Sequence, residues 1–121
     1  MTKSVEMSSL QVIDWEVGQA LAGGNLATAR ELLTMLVADL PNDFARIEQS
    51  YQENNIPKLH EEVHYLYGAI CYCAVPALQS ATKTLDTVLK NRQWDQVESS
   101  YQDFSIEVKR LLTEFKGEIC G

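Results

Sequence analysis

His60 and His64 are the only two histidines in the chain, and they stand four residues apart in the run His60-Glu61-Glu62-Val63-His64. On a helix that spacing stacks both rings on one face, where they could clip a metal. Glu61-x-x-His64 also has the spacing found in di-iron carboxylate bundles. Such a site needs a second Glu-x-x-His helix, and the chain has no further histidine to supply one, so the metal reading is weak. The bland alternative is an ordinary boundary histidine. Gly68, one turn beyond His64, weighs against it. A glycine inside a helix costs about 1 kcal/mol relative to alanine, and its absent side chain opens space for something to approach the ring.

A helix must carry these residues, and its wheel places them. With His64 at zero and about 100° per residue, Leu59, Val63, Leu66 and Ile70 fill an arc roughly 120° away, which is the core stripe. On the same wheel Gly68 lies at about +40°, Cys71 at about −20°, His60 at about −40° and Tyr67 at about −60°. His64 therefore stands at the edge of the buried face, flanked by these residues.

Apolar residues recur at threes and fours along most of the chain, and sustained alternation is absent, so the reading is helices throughout. Asp14 caps a short first helix anchored by Trp15 and Leu21, and Gly23-Gly24 ends it with a left-handed turn. Asn25 caps a long second helix from Leu26 past Ile47, which Pro41 is expected to kink or divide. Asn54-Asn55-Ile56-Pro57 opens the third helix, the one bearing both histidines, which is expected to run to about Ala74. Val75-Pro76 opens a fourth with Leu78, Leu85, Val88 and Leu89. After a break at Asn91 to Gln93, a fifth carries Trp94, Val97, Tyr101, Phe104, Val108 and Leu111. Four long amphipathic helices with short connections pack most simply as an all-α, antiparallel up-and-down four-helix bundle, with the short N-terminal helix covering one end. The domain is expected over residues 10–117, with flexible ends at 1–9 and 118–121.

At 121 residues the chain suits one domain, and its 10 basic against 17 acidic residues give a formal charge of −7. Phosphate backbones and anionic lipid surfaces would repel it, so neither nucleic acid nor direct membrane contact is expected. Charged residues interrupt every apolar stretch before it reaches the roughly 20 residues of a membrane span. Three cysteines, Cys71, Cys73 and Cys120, do not make a disulfide framework and suggest a reducing, cytoplasmic setting. Cys71 and Cys73 read as packing residues, because thiol reactivity needs an electropositive surrounding.

The segment His64-Tyr65-Leu66-Tyr67-Gly68, continuing through Cys73-Ala74-Val75-Pro76-Ala77-Leu78, resembles the H-x-x-x-G acceptor region of histidine-containing phosphotransfer (HPt) domains. Ile13-Asp14-Trp15-Glu16, the Ala22-Gly23-Gly24-Asn25 turn and Leu32-Leu33-Thr34-Met35-Leu36 extend the likeness to the C-terminal HPt domain of BarA-type hybrid sensor kinases, over roughly Leu10 to Lys116. The resemblance implies a phosphorelay intermediate. It would accept a phosphoryl group from a receiver-domain aspartate onto Nε2 of His64 and pass it to an aspartate of a response regulator. Mg²⁺ would come from the receiver's acidic pocket, with no cofactor or metal on this chain. No phosphate-binding G-x-x-x-x-G-K-[ST] loop is present, so no autokinase activity is expected.

The family often places basic residues directly after the histidine and just before the glycine, where this chain has Tyr65 and Tyr67. The glutamate or glutamine that the family often offers from the next helix aligns with Lys83, which is expected to return the missing positive charge, while Tyr67 is expected to donate a hydrogen bond. His60 reads as a solvated neighbour, and Tyr65, Tyr67 and Cys71 as the receiver-docking patch. A receiver-docking adaptor that carries no phosphoryl group is the alternative function on the same fold. The isolated domain is expected to be a monomer. The resemblance favours a fragment of a membrane-anchored hybrid kinase over a free-standing phosphotransfer protein.

Overall fold

Asp14, Asn25 and Asn55 each turn a side-chain oxygen onto a backbone N–H three residues on, Val17 at 3.1 Å, Thr28 at 3.1 Å and Lys58 at 3.3 Å. These bonds satisfy donors that a helix start leaves without partners. The computed structural model describes residues 10–120, with side chains to residue 116. The expectation of flexible ends, at 1–9 and 118–121, falls on residues whose side chains lie outside this range. The elements are α1 (Trp15–Leu21), α2 (Leu26–Gln52), α3 (Ile56–Ile70), α4 (Pro76–Lys90), a 3₁₀ turn (Trp94–Gln96) and α5 (Val97–Cys120), with no strand among the described residues. Gly23 and Gly24 take φ of 72° and 87°, the left-handed turn expected between α1 and α2.

Four expectations need correction. Pro41 does not divide α2, which runs unbroken for 27 residues. Pro41 is exposed, so the carbonyl that its missing N–H would have met can turn to water. α3 stops at Ile70 rather than near Ala74, because Val75 precedes a proline and is pushed toward extended backbone, and Ala74 reverses the chain at φ 51°. Leu21 is exposed and does not anchor α1. Trp15 does, half-buried against the core with the Arg30 guanidinium 5.1 Å above its ring. Trp94 stands in the 3₁₀ turn ahead of α5, exposed, and not in the apolar seam.

The four long helices form an antiparallel bundle. Cys71 meets Gln79 and His64 meets Asp86 across α3 and α4, Ser50 donates to Glu62 at 2.8 Å across α2 and α3, and Tyr51 stacks on Tyr101 across α2 and α5. Leu33, Leu40, Ile47, Leu59, Leu66, Leu78, Leu85, Phe104 and Leu111 are fully buried along the axis. Each such side chain contributes about 1.5–3 kcal/mol by leaving water. Backbone bonds from Asp14 N–H to the Ala74 carbonyl, 3.0 Å, and from Ala77 N–H to the Gln11 carbonyl, 3.0 Å, tie the chain leading into α1 to the α3–α4 turn. The short helix thus sits over that end.

One flaw lies in the α2–α5 seam. The Tyr101 ring stacks on Tyr51 at 3.9 Å, but its hydroxyl is buried with no hydrogen-bond partner among the described residues. Burial first, and then the nearby Glu48 and Tyr51, push its phenol up to about 12, and burial pushes the Cys73 thiol up to about 11. In both groups the folded state holds its proton more tightly than the unfolded one. Their contribution is therefore complete below the ordinary values of 9 for the thiol and 10 for the phenol, and is lost as pH rises through 11 and 12. Tyr101→Phe removes the unpaired hydroxyl and is expected to stabilise the bundle by about 1 kcal/mol. Thermal melts across pH 9 to 12 should show a shallower alkaline decline in the variant, with the Cys73 part left.

Candidate phosphoacceptor site

Leu59, Val63, Leu66 and Ile70 are fully buried, as the wheel requires, so the opposite face of α3 looks outward. His64 stands there with its side chain 71% exposed. Gly68 is exposed one turn on, and a Cβ built on it would meet nothing within 4 Å. Among the described residues no neighbour requires a glycine for close packing. What the missing side chain provides is open surface beside the imidazole.

His64 has one polar partner among the described residues. Its Nδ1 lies 3.3 Å from Oδ1 of Asp86 on α4 and 3.5 Å from Oδ2. His60, half-buried one turn earlier, sets its Nε2 at 3.2 Å from the same Oδ1. His60 is therefore a partner of the site's carboxylate rather than a solvated neighbour. A carboxylate only accepts, so the bond to His64 requires the proton on Nδ1. In the neutral ring Nε2 then carries the free lone pair, on a side chain that faces solvent.

The sequence singles out Lys83 as the residue that faces His64 from the next helix, and the structure puts Asp86 there instead. Lys83 is exposed one turn earlier on α4 and makes no ion pair among the described residues. The reason is register. α3 and α4 run antiparallel from a turn at Val75, so partners lie at equal distances from it: Cys71 with Gln79, and His64 with Asp86. Lys83 is opposite Tyr67 by that count. Counting outward from the Val75-Pro76 turn is the signal that would have found Asp86.

The residues expected to dock a receiver fall on two flanks. Tyr65 is 76% exposed and lines a groove between α2 and α3 with Met35 and Tyr72. Tyr67 and Cys71 are half-buried on the α4 side, where Gln79 Nε2 lies 3.8 Å from the Cys71 sulfur. Loss of solvent contact, the Cys71 thiol and the Asp86 carboxylate push the Tyr67 phenol above its ordinary value. Tyr67 is thus set among Cys71, Gln79 and Asp86. Cys71 caps α3 and Cys73 lies buried in the following turn, its sulfur 3.6 Å from the Leu32 carbonyl. Among the described residues no cluster of His, Cys, Asp and Glu has the arrangement of a metal site.

The profile of the Hpt domain matches residues 31–118, a span that includes α3, α4 and the exposed His64. The chain belongs to the Hpt domain family. An Hpt domain from a hybrid histidine kinase of Shewanella has the same fold, with a TM-score of 0.82 and 25% identity over 93% of this chain and 97% of that one. The chain is 35% identical to the sensor protein GacS of Pseudomonas syringae pv. syringae over 103 residues, which is 85% of the chain and 11% of GacS. It is 26% identical to the histidine-protein kinase BarA of Escherichia coli K12 over 84% of the chain and 10% of BarA. The chain thus spans about a tenth of the length of these relatives. Hpt domains serve histidine phosphotransfer in two-component phosphorelays, and they interact with receiver domains and response regulators. In hybrid kinases they are phosphotransfer modules and not the kinase itself. No helix among the described residues is long and apolar enough to cross a membrane.

Proposed function

We propose that this Hpt domain accepts a phosphoryl group from a receiver aspartyl phosphate onto Nε2 of His64 and passes it to the aspartate of a response regulator. The observation that supports this is the pairing of the exposed His64 ring, through Nδ1, with Asp86. In the transfer the acyl phosphate P–O bond breaks, the P–N bond to Nε2 forms, and the receiver carboxylate leaves. The Nδ1 proton stays in place. Positive charge grows on the ring as Nε2 gives up its lone pair, and the Asp86 carboxylate lies where it offsets that charge. The exposed backbone at Gly68 leaves room for the incoming receiver loop.

Mg²⁺ held by the receiver would neutralise the phosphoryl oxygens, a task that Tyr65 and Tyr67, standing where the family often places basic residues, cannot perform. The domain would act on the cytoplasmic side as one module of a longer sensor kinase, as a monomer, in keeping with its span of about a tenth of GacS and BarA. It would have no kinase activity of its own. The test is incubation with a cognate receiver charged by acetyl phosphate and Mg²⁺. The expected product is a phosphoprotein stable to base and labile to acid, as a phosphoramidate bond is. Label that survives acid, or a chain that binds the receiver and takes up no label, would overturn the proposal in favour of an adaptor.

A further inference from the structure

We propose that His60 is a positioning residue for phosphotransfer: it holds the Asp86 carboxylate in the orientation that fixes His64 as its Nδ1–H tautomer. The inference rests on the reading of His64 as the acceptor through Nε2.

A carboxylate turns easily about its last torsion, which has broad minima. A single contact to a ring that is 71% exposed would leave Asp86 free to turn, and His64 free to exchange its tautomer with solvent. The structure shows two contacts on one oxygen, His60 Nε2 at 3.2 Å and His64 Nδ1 at 3.3 Å. The second contact comes from the better-anchored group, because the His60 side chain is 34% exposed against 71% for His64. Asp86 itself is largely enclosed, at 15%. The two rings stand edge to face with centroids 6.2 Å apart, so each reaches the shared oxygen without stacking on the other. His60 lies one turn before His64, while the open surface at Gly68 lies one turn after it. His60 is therefore placed to act through Asp86 and not on the arriving phosphoryl group.

The arrangement makes a chemical demand on His64 Nδ1. The His64 bond to Oδ1 needs a proton on Nδ1, while His60 Nε2 meets the same oxygen at ion-pair distance, 3.2 Å. A neutral donor at the position of His60 Nε2 should serve as well as imidazole, and a glutamine amide nitrogen reaches about that far from the backbone.

Long-range ¹H–¹⁵N correlation spectra of the whole chain report the tautomer of each ring directly. They would be recorded for the parent, His60→Phe, His60→Ala, His60→Gln and Asp86→Asn, alongside the rate of labelling by phosphoramidate, a small phosphodonor that needs no receiver. In the parent His64 should be protonated at Nδ1. In His60→Phe, His60→Ala and Asp86→Asn its spectrum should move toward the Nε2–H form, and labelling should slow on the order of 10-fold, as when a carboxylate that orients an imidazole is lost. His60→Gln should restore both. An unchanged His64 tautomer in both His60→Phe and His60→Ala would overturn the proposal, whether labelling slows or not. So would a glutamine variant that behaves like the alanine one. Absence of label on His64 in the parent would instead defeat the acceptor reading, and the tautomer comparison would still judge the role of His60.

Discussion

Replacing His64 by glutamine is expected to reduce phosphoryl transfer to background while the bundle stays folded. The His64 ring is 71% exposed and gives up one polar contact, to Asp86, which His60 continues to hold. Exposed positions of this kind usually move stability by no more than about 0.5 kcal/mol. The chemistry has no substitute nucleophile nearby. His60 turns its Nε2 onto Asp86 and is half-buried, and Cys71 is half-buried against Gln79 on the flank. Label transferred from a charged receiver and mapped by peptide mass should therefore vanish in His64→Gln, with the thermal midpoint unchanged within a few degrees. Label that persists, or that appears on His60, would disprove the assignment.

How much of this was legible in the residues differs by scale. Local chemistry was readable: Asp14, Asn25 and Asn55 cap helices because short side-chain acceptors satisfy free N–H groups wherever they stand, and Gly23-Gly24 turns the chain because it can. The buried arc of α3 followed from period alone, as did the outward placing of His64 and Gly68. Long-range register was not so readable. Asp86 is the one acidic residue of α4, but its type alone does not bring it to His64; the antiparallel count from Val75 does, in place of Lys83. The end of α3 departs from the sequence pattern for a related reason. Cys71-Tyr72-Cys73-Ala74 continues an apolar pattern, yet the proline at 76 imposes its restriction backward on Val75, and Ala74 takes a left-handed conformation that its own type does not announce. Pro41 failed as a breaker because solvent can satisfy what its ring removes, a matter of exposure and not of sequence.

Gly68→Gln should slow transfer from a receiver on the order of 100-fold, the scale at which a displacement of about 1 Å of the reacting groups acts. The backbone at Gly68 is open, and a Cβ there meets nothing within 4 Å, so among the described residues no packing contact calls for the glycine. A small addition should therefore be harmless to the fold. Gly68→Ala fills empty space on an exposed helix and should stabilise it by up to about 1 kcal/mol. A glutamine in place of Gly68 would be equally compatible with the helix. Its side chain, however, would extend across the surface one turn from His64, where a receiver must bring its phosphoaspartate within about 3.5 Å of Nε2. The two variants separate stability from access. Thermal melts should show both at or above the parent, and quench-flow transfer should show Gly68→Ala near the parental rate with Gly68→Gln far below it. Labelling of Gly68→Gln by phosphoramidate should stay within a few-fold of the parent, because a small donor does not need the cleared surface. Parental transfer from a receiver to Gly68→Gln would show that the open backbone at this position has no part in the approach.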